Sequence, residues 1–134
     1  MSIELKPHPD ASKPQTVYLR FIGILSLKDV AELKATLKSL LKQGIKNLMI
    51  DLEEMRDMDE AVWAALISAV RKLRRQNGCA VIENCSDSLY DHLQVRHWDR
   101  DFLFPLRRKD HLESLPKDLQ AILKARLQLA GSAA

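Results

Sequence analysis

Apolar residues along this chain recur with two periods, and the switches between them mark out the elements. Residues 2–6, SIELK, alternate over a short run. In TVYLRFIGIL (16–25), Val17, Leu19 and Phe21 share one face, with Tyr18, Arg20 and Ile22 on the other. Period two is the signature of a strand. The two runs predict a hairpin or edge pair, joined by the polar, proline-rich PHPDASKPQ (7–15). Gly23 interrupts the second run. Ser26 stands three residues before Asp29, the spacing of a capping box. Val30, Leu33, Leu37, Leu40 and Leu41 then recur at helical spacing, with Lys34, Lys38 and Lys42 on other faces. Gly44 is the residue that a left-handed helix end requires.

IKNLMIDL reads as a buried strand over Asn47–Leu52, because a strand covered on both faces is apolar throughout. Three acids follow, Asp57, Asp59 and Glu60. Trp63, Leu66, Ile67, Val70 and Leu73 then fall on one helical stripe. Arg71, Lys72 and Arg75 lie off it, near the end where cations suit the helix dipole. Asn77 and Gly78 stop that helix. CAVIEN (79–84) is another buried strand, and Ser86 or Asp87 caps a brief helix with Leu89 and Leu93 inward. DFLFPL predicts a last strand over 102–104, ended by Pro105. Asp110 and Glu113 repeat the capping-box spacing. Pro116 suits the first turn of a final helix over 116–130, with Leu119, Ile122, Leu123 and Leu127 on one face, and AGSAA is a frayed tail.

The element order is β-β-α-β-α-β-α-β-α. Strands alternating with helices imply parallel pairing, and the N-terminal pair makes the sheet mixed. The expected fold is α/β, with a central mixed sheet and helices mainly on one face. Functional loops in such sheets gather beyond the carboxyl ends of the strands. That rule brings together Gly23–Leu27, Arg56–Val62 and Asn84–Asp87.

A length of 134 residues fits one domain, 1–134, and the 46% hydrophobic and 29% charged composition suits a globular protein with a real core. Aromatics make up only 5%, so that core rests on Leu, Ile, Val and Ala. No apolar run is long enough to span a membrane, and MSIELKPHPD lacks the apolar segment of a signal peptide. Cys79 and Cys85 have no metal-ligand spacing and read as reduced thiols, small core residues of a cytoplasmic protein. A formal net charge of +3 is too weak to imply nucleic acid by itself.

The segments VYLRFIGILSLKDVAELKATLKSLLKQG, NLMIDLEEMRDMDEAVWAALISAVRKLRRQNG and CAVIENCSDSLYDHLQV together resemble the STAS family, the domain shared by sulphate transporters and anti-sigma factor antagonists. The likeness covers about residues 15–115; its most distinctive part is the strand LMIDL followed by a Met-Asp helix start. Family members typically carry Asp-Ser-Ser-Gly there, and in the antagonists an anti-sigma kinase phosphorylates the first serine. The matching residues here are Asp59, Glu60, Ala61 and Val62. Only the aspartate is kept. Phosphoserine carries about −1.5 to −2 charges at pH 7, whereas glutamate carries one that no phosphatase removes. Glu60 therefore either imitates the modified state permanently or has no regulatory meaning. Val62 puts branched bulk where the family has no side chain.

The resemblance implies a non-enzymatic protein-interaction module in a bacterial partner-switching or related signalling pathway. Its partner would be an anti-sigma factor or a kinase-like protein. The expected contact set is Met58, Asp59, Glu60, Ala61, Val62, Trp63, Ser26 and Ser86. No residue is assigned to catalysis, to a metal or to a cofactor, and no membrane insertion is expected. An accessory subunit of a lipid or anion transporter is the alternative, and a small-ligand sensor is the third reading. On the residues alone, the three acids also read as helix caps, and Ser26, Ser86 and Ser88 as caps too. VRKLRRQ and PLRRK read as solvated helix ends. His97 reads as structural or exposed, Trp98 as a cover for the sheet edge and Trp63 as core. The terminal leucine stripe either folds back on its own sheet or joins two chains as a homodimer.

Overall fold

The computed structural model describes residues 3–7 and 16–132, with side chains over 16–117 and 119–125. In chain order the elements are β1 (Ile3–Pro7), β2 (Thr16–Phe21), β3 (Gly23–Leu25), α1 (Val30–Lys42), β4 (Asn47–Asp51), β5 (Met55–Met58), α2 (Glu60–Arg75), β6 (Cys79–Asn84), α3 (Asp87–Val95), α4 (Lys109–Ser114) and α5 (Lys117–Ser132). The main sheet runs β1-β2-β4-β6, with β1 antiparallel to β2 and the other neighbours parallel. It is the mixed α/β arrangement that the alternation of periods predicts.

Both faces of the parallel strands β2, β4 and β6 carry buried residues, and period-two alternation assigns each residue to one of them. Val17, Leu19 and Phe21 of β2, Leu48 and Ile50 of β4, and Ala80 and Ile82 of β6 form one core with α1, α2 and α3. Leu33, Leu37 and Leu40 come from α1, and Val62, Trp63, Leu66, Val70 and Leu73 from α2. Met49 and Val81 point the other way and meet Leu115, Leu119 and Leu123. A polar ladder ties the three parallel strands at their N-terminal ends. The Asn47 amide donates to Thr16 Oγ1 at 3.1 Å, and the Cys79 thiol donates to Asn47 Oδ1 at 3.3 Å.

Four elements differ from the sequence reading. The run 16–25 is two strands, because Gly23 takes φ +74° and turns the chain into a second sheet. There β3 pairs in parallel with β5, which carries Asp57 and which the apolar pattern did not predict. Its alternation is Met-Arg-Asp-Met, too polar to read as a strand. The last strand, expected over 102–104, is a single bridge: Leu103 N donates to Ala80 O and Ile82 N to Leu103 O, both at 2.9 Å. Pro105 and the following turn leave no length for more. Residues 109–114 form their own helix, α4, which the Asp110 and Glu113 spacing did not separate from α5.

Two residues of the terminal stripe are covered within the chain. Leu119 and Leu123 are wholly buried against Met49 and Val81, so these two leucines fold back on their own sheet, while Ile122 is half-buried. The α5 backbone continues to Ser132, past the expected boundary at 130 and into the AGSAA tail. The Leu127 side chain and the linker beyond Pro7 lie outside the described residues.

Gly78 is required by close packing. A Cβ there would lie 2.6 Å from the Lys46 carbonyl oxygen, where the chain leaves α2 and enters β6. Near the other end of the fold, the Phe104 amide donates to His111 Nδ1 at 2.9 Å, anchoring α4. That bond needs a neutral ring, and burial followed by the charge of Arg108 holds His111 below its ordinary value of 6.5.

Two outcomes follow from this architecture. Leu119→Ala costs about 2–5 kcal/mol of stability, read by urea denaturation, with a midpoint that does not move with protein concentration; a helix shared between chains would make it move. Because the folded His111 is the weaker base, the unfolded chain binds the extra proton, and stability falls as pH drops below about 6.5. His111→Gln flattens that part of the stability–pH curve.

Candidate functional site

Asp59 starts α2 as its N-cap. Its Oδ1 accepts from Ala61 N at 2.9 Å, and its carbonyl accepts from Val62 N and Trp63 N at 3.0 and 3.1 Å. An oxygen acceptor at this position satisfies amides that the helix cannot bond internally. Asp59 N in turn donates to Leu25 O at 3.0 Å. The β3–β5 pairing therefore holds Gly23–Leu27 beside the acid-bearing helix start, as two of the three loops were expected to lie. Ser26 N donates to Asp29 Oδ2 at 2.8 Å, which closes the turn Leu27–Asp29 before α1.

Glu60 is the first residue of α2. It is 63% exposed and ion-paired to Arg96, just past the end of α3. The Arg96 guanidinium also lies over the Trp98 ring, 5.4 Å from its centroid. Trp98 meets Trp63 at 6.1 Å between centroids. A continuous run of contacts thus links an exposed carboxylate, a cation, a half-buried ring and a buried ring. Trp98 packs against α2 and α3, so it covers the helical layer and not the sheet edge.

The expected contact residues divide by burial. Asp59 and Glu60 are exposed, and Ala61 is half-buried. Met58, Val62 and Trp63 are 5%, 0% and 1% exposed, so their side chains belong to the core. The helical phase explains this: Val62 lies four residues before Leu66 and Trp63 four before Ile67, on the face that meets the sheet. Val62 thus fills the interior and presents no methyl groups to a partner. Ser86 caps α3 by accepting from Leu89 N at 3.1 Å. It stands at the opposite end of α3 from Arg96, and so apart from the Glu60 pair. The third loop is tied instead to the strand ends, through Leu52 N to Asn84 O at 3.0 Å and Asn84 Nδ2 to Asp51 Oδ1 at 3.3 Å.

Several cations of the two basic runs are ion-paired, Arg71 and Arg74 while still exposed. Arg71 donates to both carboxylate oxygens of Asp101, at 3.1 and 3.3 Å, and Arg74 adds a contact at 3.4 Å. Asp101 is only 7% exposed. Arg107 donates to Cys85 O and reaches Asp87, both at 2.8 Å, and lies over the Tyr90 ring. Its hydrogen bond with Asp87 holds its pKa above the ordinary arginine value. His97 is exposed, at the left-handed turn after α3. Both thiols are free, and burial raises their pKa values, so neither is a ready thiolate.

Sequence reasoning missed one class of residue. The large apolar side chains left in solvent among the described residues are Ile24 at 62%, Leu27 at 67% and Val95 at 79% exposed. Ile24 pairs with Asp57 in the small sheet. Leu27 follows Ser26 in the turn that contacts α2. Val95 immediately precedes Arg96. All three sit on segments that border the start of α2. Val95 falls off the α3 stripe, which was the available signal for it, whereas Leu27, three residues before Val30, carried none.

Comparisons with known proteins agree with this geometry. The sequence model described as the STAS domain matches residues 4–112. Among solved structures, the Bacillus cell fate determinant SpoIIAA in its phosphorylated form superposes with a TM-score of 0.62 at 18% identity, covering 77% of this chain and 90% of that one. An anti-sigma factor antagonist from Mycobacterium paratuberculosis gives 0.61 at 16% identity, over 84% and 92% of the two chains. No curated protein matches the chain. No helix among the described residues is long and apolar enough to cross a membrane. With the domain matched from the first strand through α4, and the same fold in these structures, the chain belongs to the STAS domain family.

Proposed function

We propose that this chain, as a single domain over 1–134, is a non-enzymatic protein-interaction module of the bacterial partner-switching kind, acting in the cytoplasm. Its contact rim is Ile24, Leu27, Asp59, Glu60 and Val95. The observation that carries the reading is the placement of the exposed apolar side chains: Ile24, Leu27 and Val95 all border the acidic start of α2. Apolar anchors around a charged centre are the composition of a protein contact surface. The relatives of the same fold bear the name anti-sigma factor antagonist, and one was solved phosphorylated.

In this reading Glu60 stands where the antagonists carry their switchable serine. Its charge is permanent, and Arg96 answers it. The ion pair does not lock the rim shut. An exposed pair contributes about 0–1 kcal/mol, so a partner that offers its own cation or carboxylate can displace either member. The expected partner is a kinase-like anti-sigma protein. Met58, Val62 and Trp63 act from beneath, by fixing the rotation of α2, while Ser26 and Ser86 shape loops.

Two measurements check the reading. Glu60→Gln lowers stability by less than about 1 kcal/mol, read by urea denaturation, since the pair is exposed. For binding, titration calorimetry with candidate kinase-like anti-sigma proteins compares wild type with Leu27→Asp and Glu60→Ser. Leu27→Asp, at an exposed position, weakens binding at least tenfold. Glu60→Ser gives a chain whose binding then depends on phosphorylation. If the same rim variants lose binding to a transporter subunit instead, the accessory-subunit alternative holds. Binding that ignores both substitutions, for every partner, removes the rim from consideration.

A further inference from the structure

The pairing of α1 with α2 leaves an open groove of about 710 Å³ on the outer side of the helical layer. Its floor is apolar and shallow, formed by Leu37, Leu41, Ala65 and Ala69. Its walls are cationic: Lys34, Lys38 and Lys42 from α1, and Lys72 and Arg75 from α2. No carboxylate lines it. The groove lies along the C-terminal part of α2, away from the acidic start of that helix, so it is separate from the rim around Glu60.

These five cations are not a solvated face of the ordinary mixed kind. All five are exposed, and none makes an ion pair among the described residues. Their neighbours differ. Arg71 and Arg74, on the opposite flank of α2, share the Asp101 carboxylate. The chain's formal net charge is +3, less than the charge gathered at this single groove. The remainder of the molecule is therefore acidic on balance, and the positive charge is concentrated here. Lysines four apart on α1 also repel one another, which disfavours the free helix. An anionic occupant removes that repulsion.

The spacing selects among anionic occupants. Lys34, Lys38 and Lys42 repeat every four residues, about 6 Å along the helix axis. A second helix lying in the groove presents acids at the same interval when Asp or Glu recurs at i, i+4 and i+8. Its adjoining apolar residues then meet Leu41 and the alanines, the groove-binding mode of an amphipathic helix. An acyl chain has less to gain, since the groove is open and its walls are charged. We propose that the α1–α2 groove is a second docking site, which receives an acidic amphipathic helix of a protein partner.

The test uses the full chain and a labelled synthetic helical peptide with Glu at every fourth position and Leu on the adjoining face. Two comparison probes are a scrambled peptide of the same composition and vesicles of phosphatidylglycerol. Fluorescence anisotropy follows the peptides, and vesicle co-sedimentation follows the lipid. The patterned peptide binds at least tenfold more tightly than the scrambled one. Lys38→Glu with Lys72→Glu removes that binding, while Lys28→Glu, an exposed cation outside the groove, leaves it unchanged. All three positions are exposed, so thermal melting reports intact folding. Equal binding of both peptides overturns the proposal, as does an equal loss with Lys28→Glu. Vesicle binding without patterned-peptide binding also overturns it, and assigns the groove to a lipid surface. Because none of these residues belongs to the rim, failure here leaves the reading of Glu60 untouched.

Discussion

Burial of one stripe of α2 fixes the rotation of that helix, and the placement of every functional group on it follows. Val62, Trp63, Leu66, Val70 and Leu73 must all leave water together. At about 100° per residue, only one rotation of the helix about its axis achieves this. Glu60, Arg71 and Arg74 then fall on the flank that faces Arg96, Trp98 and Asp101. Ala65, Ala69 and Lys72 fall on the flank that faces α1. The rim and the cationic groove are two outward consequences of one inward demand. A single shift in helical phase would turn Glu60 away from Arg96 and close the groove.

Electrostatics refine that arrangement and do not create it. Asp59 contributes about 1 kcal/mol as a cap, and the exposed Glu60–Arg96 pair contributes less. Full burial of a leucine or phenylalanine side chain contributes about 1.5–3 kcal/mol, and the stripe has several such residues. The charges on α2 are therefore set by where the apolar stripe leaves them. The exception is Asp101. It is nearly buried, and its two arginine partners offset the cost of taking a carboxylate out of water. It holds the turn after Trp98 against α2.

Much of this was legible in the sequence. Strands with period two and helices near period 3.6 gave the main sheet, the three helices over one face and the terminal helix. The cap at Ser26 followed from residue type and position, while the structure selects Asp59 among the three acids and Ser86 over Asp87. What stayed hidden depends on contacts between distant segments. The strand Met55–Met58 has too little apolar alternation to register, and it exists because β3 lies alongside it. Leu103 makes a single bridge to the middle of β6 because Pro105 and the turn after it cut the pairing short. The burial of Met58, Val62 and Trp63 was visible in the helical stripe for Trp63, yet the resemblance placed them on a contact surface. Periodicity was the better guide there, because it reports which way a side chain points.

The identity of residue 60 is the place where stability and function separate. A serine, a glutamate or an aspartate at the first position of α2 all suit the positive end of the helix dipole, within about 1 kcal/mol of one another. The fold therefore exerts little preference among them. The helix accepts a carboxylate there without requiring one, and the exposed ion pair with Arg96 adds at most about 1 kcal/mol. What distinguishes glutamate from serine at this site is a charge that does not depend on phosphorylation. The side chain is 63% exposed, and Ile24, Leu27 and Val95 are exposed on segments that border the start of α2. Single exposed apolar side chains are ordinary on a folded surface; it is the position of these three around one exposed carboxylate that the fold itself does not demand.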